Sequence, residues 1–340
     1  MNDPALRARL EDVAREARVS KAAASYVLNG RPGVSDGTRD RVLEVASRLG
    51  YHHRRAPRGP LPGAVAGTLG AALSPTRHEG ETPNYYVAEL LAGVEREARR
   101  NRYHVNVEMW TAGHDAEVPE GIDGMLFLGG AFDPAALARI RIPALLVGTS
   151  FPQVSLDAVL ADNRLGAYLA TAHLLDGGRR RIALLNGPPH ATTTNSKQAG
   201  FQDALWEREL PSGSALAVRV EFTVGAGEAG ARALLTGPKV PDAIVTGDDV
   251  IAIGVLNAAA DLGIRVPDDL AIVGFGDSPT GALLRPALSS VHVFQQEMGR
   301  LGVRRLLDRL RESSESTPCV RSLVSPELVV RESSAGRGSR

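Results

Sequence analysis

The chain has a single cysteine, Cys319, among its 340 residues. One cysteine excludes an intramolecular disulfide framework and any zinc site built from several cysteines, and it suits a reducing compartment. The first residues carry a charge every few positions with no apolar stretch of secretory length, and no later apolar run approaches the length of a membrane span. These absences predict a cytoplasmic protein that contacts no membrane.

The chain also has few aromatic residues, 4%, and no net charge, because 39 lysines and arginines balance 39 acidic residues. The balance is uneven along the chain. The first 60 residues hold 12 basic and 7 acidic residues, whereas the other 280 hold 27 and 32. A local excess of cations is what a DNA-binding module needs to neutralise phosphates, although a solvated basic surface is the alternative. The length predicts one small and one large module.

The small module reads as three short helices. Apolar residues spaced three and four apart predict the first helix over Leu10–Ala17, and Ser20 is a good N-cap for a second over Lys21–Asn29. A third begins at the cap Ser35 and stops at Gly50. Such spacing predicts a helix-turn-helix whose second helix enters a major groove; a three-helix bundle with no partner is the alternative.

The second helix carries the side chains that we expect to contact DNA. They are Ser20, Lys21, Ala22, Ser25, Tyr26 and Asn29. Lysine donates to guanine acceptors, small apolar groups meet a thymine methyl, and hydroxyl and amide groups contact base edges or phosphates.

The whole segment from Leu10 to Tyr51 resembles the DNA-binding headpiece of the LacI/GalR family of transcriptional regulators. Members of that family usually have Thr-Val-Ser-Arg where this chain has Ala23-Ala24-Ser25-Tyr26. The usual arginine contact cannot be made by Tyr26, so the resemblance implies an operator of non-standard sequence.

A linker follows the headpiece at residues 52–63. In the resembling family this stretch forms a hinge helix that inserts a leucine into the minor groove and kinks the DNA. Here Pro60 stands at the leucine position, and the prolines and glycine are poor helix formers. Arg54, Arg55 and Arg58 can supply phosphate or minor-groove contacts. A flexible interdomain linker is an equally open interpretation.

The large module alternates short apolar runs with amphipathic stretches, which predicts parallel sheets with right-handed crossovers. The predicted strands are Ala66–Leu73, Tyr103–Met109, Gly124–Leu128, Ala144–Val147, Arg181–Asn186, Ala243–Thr246 and Leu270–Gly274. The predicted helices are Asn84–Arg100, Arg164–Asp176, Ser196–Glu209, Ala226–Leu235 and Asp249–Leu262. So many units imply two sheets, with a ligand cleft where the carboxyl ends of their strands face each other.

No sequence motif for catalysis, for a cofactor or for a metal is recognisable in this module. There is no Gly-x-Ser-x-Gly elbow and no phosphate-binding Gly-Lys-Ser/Thr loop, and His78-Glu79 lacks the second histidine of a zinc-protease helix. We therefore predict a binding protein with no cofactor and no metal site rather than an enzyme.

The resemblance to the LacI/GalR family continues to about Ser333, through NYYVAELLAGVEREAR, VPDDLAIVGFGD and SPELVVRES. It implies a small all-α helix-turn-helix domain followed by a two-lobed α/β periplasmic-binding-protein-like domain with parallel sheets, which dimerises. The implied domains are a headpiece at 1–51, a hinge at 52–63, an effector domain at 64–333 and a flexible tail at 334–340. Its N-lobe would span about 64–163 and 293–322, and its C-lobe about 164–292 and 323–333.

The resemblance also implies which residues bind the effector. They are Asn84, Tyr86, Lys197, Phe222, Asp248 and Asp249. Two departures change the expected site, because Lys197 replaces the family's effector-binding arginine and Gly276 replaces a ligand-contacting aspartate. Aromatic faces and carboxylates suit a sugar-like ligand. For each residue, an ordinary core aromatic or a helix-capping acid is the alternative.

Together these features predict a ligand-responsive repressor that binds a pseudo-palindromic double-stranded DNA operator as a homodimer and is controlled by a small, carbohydrate-like effector. A small-molecule binding protein without regulatory DNA reading is the main alternative. An α/β enzyme acting on a sugar or nucleotide is a third.

Overall fold

The computed structural model describes residues 10–28, 34–49, 65–74, 85–110, 118–130, 132–189, 191–210, 216–312 and 318–335. The chain separates into two compact units, Met1–Gly59 and Pro60–Arg340. The predicted hinge and most of the tail lie outside the described residues, as do the predicted helix ends at Asn29 and Gly50.

The described part of the first unit forms three helices, α1 (Leu10–Glu16), α2 (Lys21–Leu28) and α3 (Asp36–Arg48). They close around a small apolar core. Its members are Val13, Ala14, Ala17, Ala24, Val27, Val42, Val45 and Ala46. The bounds agree with the predicted helices to within a residue or two.

The turn between α1 and α2 is tight because Arg18 adopts a left-handed backbone conformation with φ of 53°. The Val19 amide donates to the Ala14 carbonyl, which closes the end of α1. Ser20 caps α2, since its Oγ accepts from the Ala23 amide at 3.1 Å. Ser35 occupies the N-cap of α3, but its side chain bonds the Thr38 hydroxyl at 2.9 Å and accepts no backbone amide.

The second unit contains two six-stranded sheets. The first has the order β11-β5-β4-β3-β1-β2, and every neighbouring pair is parallel. Its strands are β1 (Gly67–Leu73), β2 (Tyr103–Met109), β3 (Gly124–Leu128), β4 (Ala144–Val147), β5 (Asp157–Ala161) and β11 (Arg321–Val324). The central β3 is buried along its whole length, as expected of a strand covered on both faces.

The second sheet has the corresponding order β12-β10-β9-β8-β6-β7. Its strands are β6 (Ile182–Asn186), β7 (Leu216–Arg219), β8 (Ala243–Thr246), β9 (Ala271–Phe275), β10 (Ser289–His292) and β12 (Glu327–Val329). Only β12 runs antiparallel to its neighbour. The two-sheet α/β architecture predicted from the sequence is confirmed.

Helices connect and cover the strands of both sheets. They are α4 (Tyr85–Arg100), α5 (Pro134–Ala138), α6 (Asn163–Asp176), α7 (Thr194–Glu207), α8 (Val224–Leu235), α9 (Asp249–Asp261), α10 (Pro279–Leu283) and α11 (Gln295–Arg311). The helix α11 packs on α4 and on the first sheet. Their backbones approach closely at Gly93, where an added Cβ would lie 2.0 Å from the Gln296 carbonyl oxygen.

As far as the described strands show, the chain passes between the sheets three times, after β5, after β10 and between β11 and β12. We call the first sheet with its helices the N-lobe and the second sheet with its helices the C-lobe. Because β11 pairs with β5 as far as Val324, the last crossover falls after Val324, two residues beyond the predicted lobe boundary.

Candidate functional site

The exposed face of α2 is the first candidate site. Lys21, Ala22 and Tyr26 are exposed, Ser25 is half-buried, and Ala24 and Val27 pack into the core. The Ser20 oxygen accepts the capping bond, which leaves its hydroxyl proton available as a donor. The predicted residues Asn29, Arg54, Arg55 and Arg58 lie outside the described part of the chain.

Exposed ion pairs link the helices of this unit. The Lys21 ammonium lies 2.6 Å from Glu11 Oε1 at the start of α1. Arg48 at the end of α3 contacts Glu16 at 2.7 Å. Arg41 donates from Nε to the Ala17 carbonyl at 3.1 Å and so holds α3 against the end of α1. Side chains in such exposed pairs can exchange a carboxylate for a phosphate at small energetic cost.

The second candidate site lies at the carboxyl ends of β6, β8 and β9, the usual ligand position in a parallel sheet. Asp248 is the N-cap of α9, and its Oδ1 accepts from the Val250 amide at 2.8 Å. Burial, and next the charge of Asp249, raise the pKa of Asp248 to about 6. A half-buried carboxylate with one capping bond keeps lone pairs for a hydroxyl group of a ligand.

Asp249 is held more tightly than Asp248. Its Oδ1 accepts from the Ser290 hydroxyl and its Oδ2 from the Ser278 amide, each at 2.6 Å. Burial raises the pKa of Asp249, while these bonds oppose the shift. Gly274 is necessary beside it, because a Cβ there would lie 2.2 Å from Asp249 Oδ1. These contacts make Asp249 a rigid support of the site.

Lys197 is buried, with 6% of its surface exposed. Its ammonium donates to the Gly247 carbonyl at 2.6 Å and lies 4.1 Å from the centre of the Phe275 ring. Burial lowers the pKa of Lys197 to about 8, and the charges of Asp248 and Asp249 oppose this shift. The side chain predicted to contact an effector therefore holds the turn between β8 and α9.

Phe222 lies over the turn that follows β6. A Cβ at Gly187 would lie 2.2 Å from the ring, so glycine permits this contact. The backbone of Gly187 in turn touches Gly247, since a Cβ on Gly247 would lie 2.7 Å from the Gly187 nitrogen. Phe222 and Asp248 thus lie on adjoining turns.

The N-lobe contributes Tyr86, near the start of α4. Its hydroxyl lies against Gly148, where a Cβ would come within 2.5 Å of that oxygen. Burial, and next the charge of Asp248, raise the pKa of Tyr86, so this C-lobe carboxylate lies near enough for its charge to act on the phenol. Thr149 and Thr192 also make a direct contact between the lobes, with 3.3 Å between their hydroxyl oxygens. Asn84 lies outside the described residues.

In the loop at residues 276–278, sequence reasoning singled out Gly276 and gave no role to Asp277 or Ser278. Gly276 and Asp277 both have positive φ, 119° and 52°. The Gly276 carbonyl accepts from Gln295 Nε2 at 2.6 Å, and Asp277 contacts His292 at 3.2 Å and Arg331 at 2.7 Å. The loop therefore joins Asp249 to the crossover after β10. Only the glycine at 276 signalled a special position.

Neither a candidate metal site nor a candidate membrane-spanning helix occurs among the described residues. No group of three or more His, Cys, Asp or Glu side chains there is arranged to hold a metal ion. None of the described helices combines the length and apolar character needed to cross a membrane.

The chain is similar to known proteins in both of its units. Residues 9–53 match the family described as "Bacterial regulatory proteins, lacI family", and residues 171–334 match "Periplasmic binding protein-like domain". The ribose operon repressor of Haemophilus influenzae is 32% identical over 342 aligned positions, covering 96% of this chain and 98% of that protein. Catabolite control protein A of Priestia megaterium is 29% identical, covering 91% and 94% of the two chains.

Solved structures give the same result. A transcriptional regulator CelR–cellobiose complex superposes with a TM-score of 0.70 at 28% identity, covering 96% of this chain and all of that one. A lac repressor dimer bound to operator, 23% identical, shares the fold with a TM-score of 0.66 over 97% of this chain and all of that one.

Proposed function

The chain belongs to the LacI family of bacterial regulatory proteins and is an effector-controlled, DNA-binding transcriptional regulator; we propose that it is a repressor whose α2 reads an operator and whose cleft between lobes binds a neutral carbohydrate. The observation that carries the proposal is the approach of the two lobes here: the Tyr86 phenol packs against Gly148 and lies near Asp248 of the other lobe, and the neighbouring Thr149 hydroxyl is 3.3 Å from that of Thr192. A ligand bound there would contact both lobes at once.

The DNA-binding role is proposed for the exposed face of α2. Lys21 supplies a cation, Ala22 a small apolar surface, and Ser20, Ser25 and Tyr26 hydroxyl groups. Tyr26 offers one hydroxyl in place of a forked guanidinium, so we propose that the operator differs at the base pair that an arginine would read. The same role is proposed for Asn29, Arg54, Arg55 and Arg58.

We propose further that two chains associate and place two α2 helices on successive turns of a pseudo-palindromic operator in the cytoplasm. The expected measurement is a molar mass near twice the chain's 36.0 kDa in light scattering after size exclusion. A mass of one chain at micromolar concentration, with and without operator, would rule out the dimer.

The effector role is proposed for Asn84, Tyr86, Lys197, Phe222, Asp248 and Asp249. Asp248 accepts bonds from ligand hydroxyls, Phe222 supplies a ring face, and Lys197 acts through the Gly247 turn. With its ammonium already bonded and two carboxylates nearby, the site disfavours anionic ligands. We therefore propose a neutral polyhydroxyl ligand, in keeping with the relatives named for ribose and cellobiose, and binding without turnover.

The DNA-binding proposal is tested by selection from random duplexes, followed by titration of the enriched sequence at two salt concentrations. We expect a palindrome whose affinity falls steeply with salt, because several phosphates are neutralised. Lys21→Ala should weaken binding. No enrichment would favour the alternative of a small-molecule binder without DNA reading.

The effector proposal is tested by the melting temperature in panels of neutral sugars, including D-ribose and cellobiose, and in the phosphate ester of each sugar. A neutral sugar should raise the melting temperature and its phosphate ester should not. Phe222→Ala and Asp248→Asn should abolish the shift, whereas Asp261→Asn, an exposed acid at the far end of α9, should preserve it. A response only to the phosphate esters would contradict the proposed ligand class.

A further inference from the structure

A carboxylate lies beside the first residue of the proposed DNA-reading helix. Glu11 Oε1 is 2.6 Å from the Lys21 ammonium, although the two residues are ten positions apart. Both side chains are more than half exposed, 64% for Glu11 and 62% for Lys21. The pair therefore forms part of the surface that α2 presents.

This position is costly for a negative charge if α2 enters a major groove, because phosphates lie on both sides of the groove. Stability alone does not account for the pair, since an exposed ion pair contributes at most about 1 kcal/mol. The unit has another exposed pair of the same kind, Glu16 with Arg48, which joins α1 to α3. Glu11 differs from Glu16 in that its partner is expected to touch DNA.

The geometry points to a joint role: we propose that Lys21 and Glu11 read one G·C base pair together, with Lys21 donating to guanine and Glu11 accepting from cytosine. In the major groove, guanine presents O6 and N7 acceptors and cytosine presents the N4 donor. The guanine O6 and cytosine N4 of one pair are adjacent, so a donor and an acceptor 2.6 Å apart match them in spacing and sign. An A·T pair presents a donor on the purine and an acceptor on the pyrimidine, the opposite arrangement.

Glu11 also limits binding to DNA of other sequence. At a site without the matching G·C pair, its charge repels phosphates and competes with them for Lys21, which weakens an additional phosphate contact. Removing the charge should therefore increase non-specific affinity while it weakens base discrimination. Substitution of a residue with only a structural role would change neither the non-specific affinity nor the base discrimination.

This inference rests on the proposed DNA-reading role of α2, and its test separates the two. Random duplexes are selected with the full-length parent, with Lys21→Ala, with Glu11→Gln and with the matched control Glu16→Gln, and melting temperatures verify folding. The position whose preference is lost in Lys21→Ala is the one that Lys21 reads. We expect G·C there in the parent, and a loss of roughly tenfold in its discrimination in Glu11→Gln, at that position alone.

The control Glu16→Gln should keep the parent's preference for G·C at the position that Lys21 reads. The double variant that combines Lys21→Ala with Glu11→Gln should discriminate no worse at this position than Lys21→Ala alone. With a duplex of unrelated sequence, Glu11→Gln should bind several-fold more tightly than the parent, with a log–log salt slope steeper by about one. Equal effects of Glu11→Gln and Glu16→Gln, or a base pair other than G·C at that position, would overturn this inference but leave the proposed DNA-reading role of α2 unaffected. No enriched sequence with the parent overturns both.

Discussion

The two units of this chain differ in whether any of their described charged groups are buried. In the first unit the described ion pairs of α1 to α3 lie on the surface, and the buried residues are alanines and valines. In the second unit carboxylates such as Asp157 and Asp249 are buried with their partners fixed around them. Exposed charges can exchange partners when DNA binds, whereas buried ones set the shape of a cleft. Salt should therefore affect the first unit's function far more than the second unit's.

The largest expected effect comes from breaking the buried network around Asp157 in the N-lobe. Its carboxylate contacts Arg305 and Arg309 at 2.7 Å and accepts from the Val320 amide at 2.6 Å, joining α11 to the start of β11. Asp157→Ala leaves two guanidinium groups half-compensated and should cost about 3–5 kcal/mol of unfolding free energy in urea titrations.

The matched control is Asp176→Ala, which removes an exposed pair with Arg208 and should cost at most about 1 kcal/mol. The arginines and the backbone bond hold the pKa of Asp157 below its usual 3.8. A lowered carboxylate pKa stabilises the fold above the unfolded-state value, so this contribution should be lost as pH falls below about 4. Equal losses from the two substitutions would contradict the account.

The same core substitution should have different consequences in the two units. Val42 and Val245 are both fully buried, one in the small core of α1 to α3 and one in β8. Each valine-to-alanine change should cost about 2 kcal/mol. Because a small domain has little stability to lose, Val42→Ala should abolish operator binding while the melting of the second unit is unchanged.

Val245→Ala should instead lower the melting temperature of the second unit by a few degrees and leave operator affinity nearly intact. Calorimetry and an operator titration on both variants provide the check. If Val42→Ala and Val245→Ala each lowered both the operator affinity and the melting temperature of the second unit, the units would not melt independently.

A smaller effect is expected from the pH dependence of Lys197. Its pKa is about 8 in the fold and near the ordinary 10.5 when unfolded, so between these values the unfolded chain binds more protons. Stability from this group should therefore rise with pH, by about 1 kcal/mol per unit above pH 8.

The measurement is the difference in unfolding free energy between the parent and Lys197→Met from pH 7.5 to 9.5. This range stops below the ordinary tyrosine pKa, so the raised pKa of Tyr86 does not contribute. Parallel pH profiles for the parent and the variant would show that the lysine is not buried as described.

The sequence predicted the bounds of the strands that are continuous apolar runs, and also those of the exposed edge strand β2. The bounds of β3, β4 and β8 coincide with the predicted strands, because each is a continuous apolar run. The strands β5, β7, β10, β11 and β12 were missed: β7 and β11 are four-residue edge strands with exposed side chains, and the largely buried β5 and β10 begin with the polar residues Asp157 and Ser289. The edge strands β7 and β11 are defined by their pairing with β6 and β5 rather than by a pattern in their own sequence.

The same limit applies to the site. The capping role that Asp248 plays was readable from its position before α9, and Phe222 was identified only through the family resemblance. The orientation of Lys197 was not readable, since its partner Gly247 is 50 residues away. Neither was the support of Asp249 by Ser278 and Ser290. Long-range partners of this kind depend on the folded chain.

The central claim is that a ligand between the lobes alters the DNA affinity of the same chain. The most direct test is a titration of the selected operator at fixed salt, with and without the neutral sugar that raises the melting temperature. The account predicts at least a fivefold change in operator affinity, lost in Phe222→Ala. A sugar that binds, verified calorimetrically, yet leaves operator affinity unchanged would contradict it.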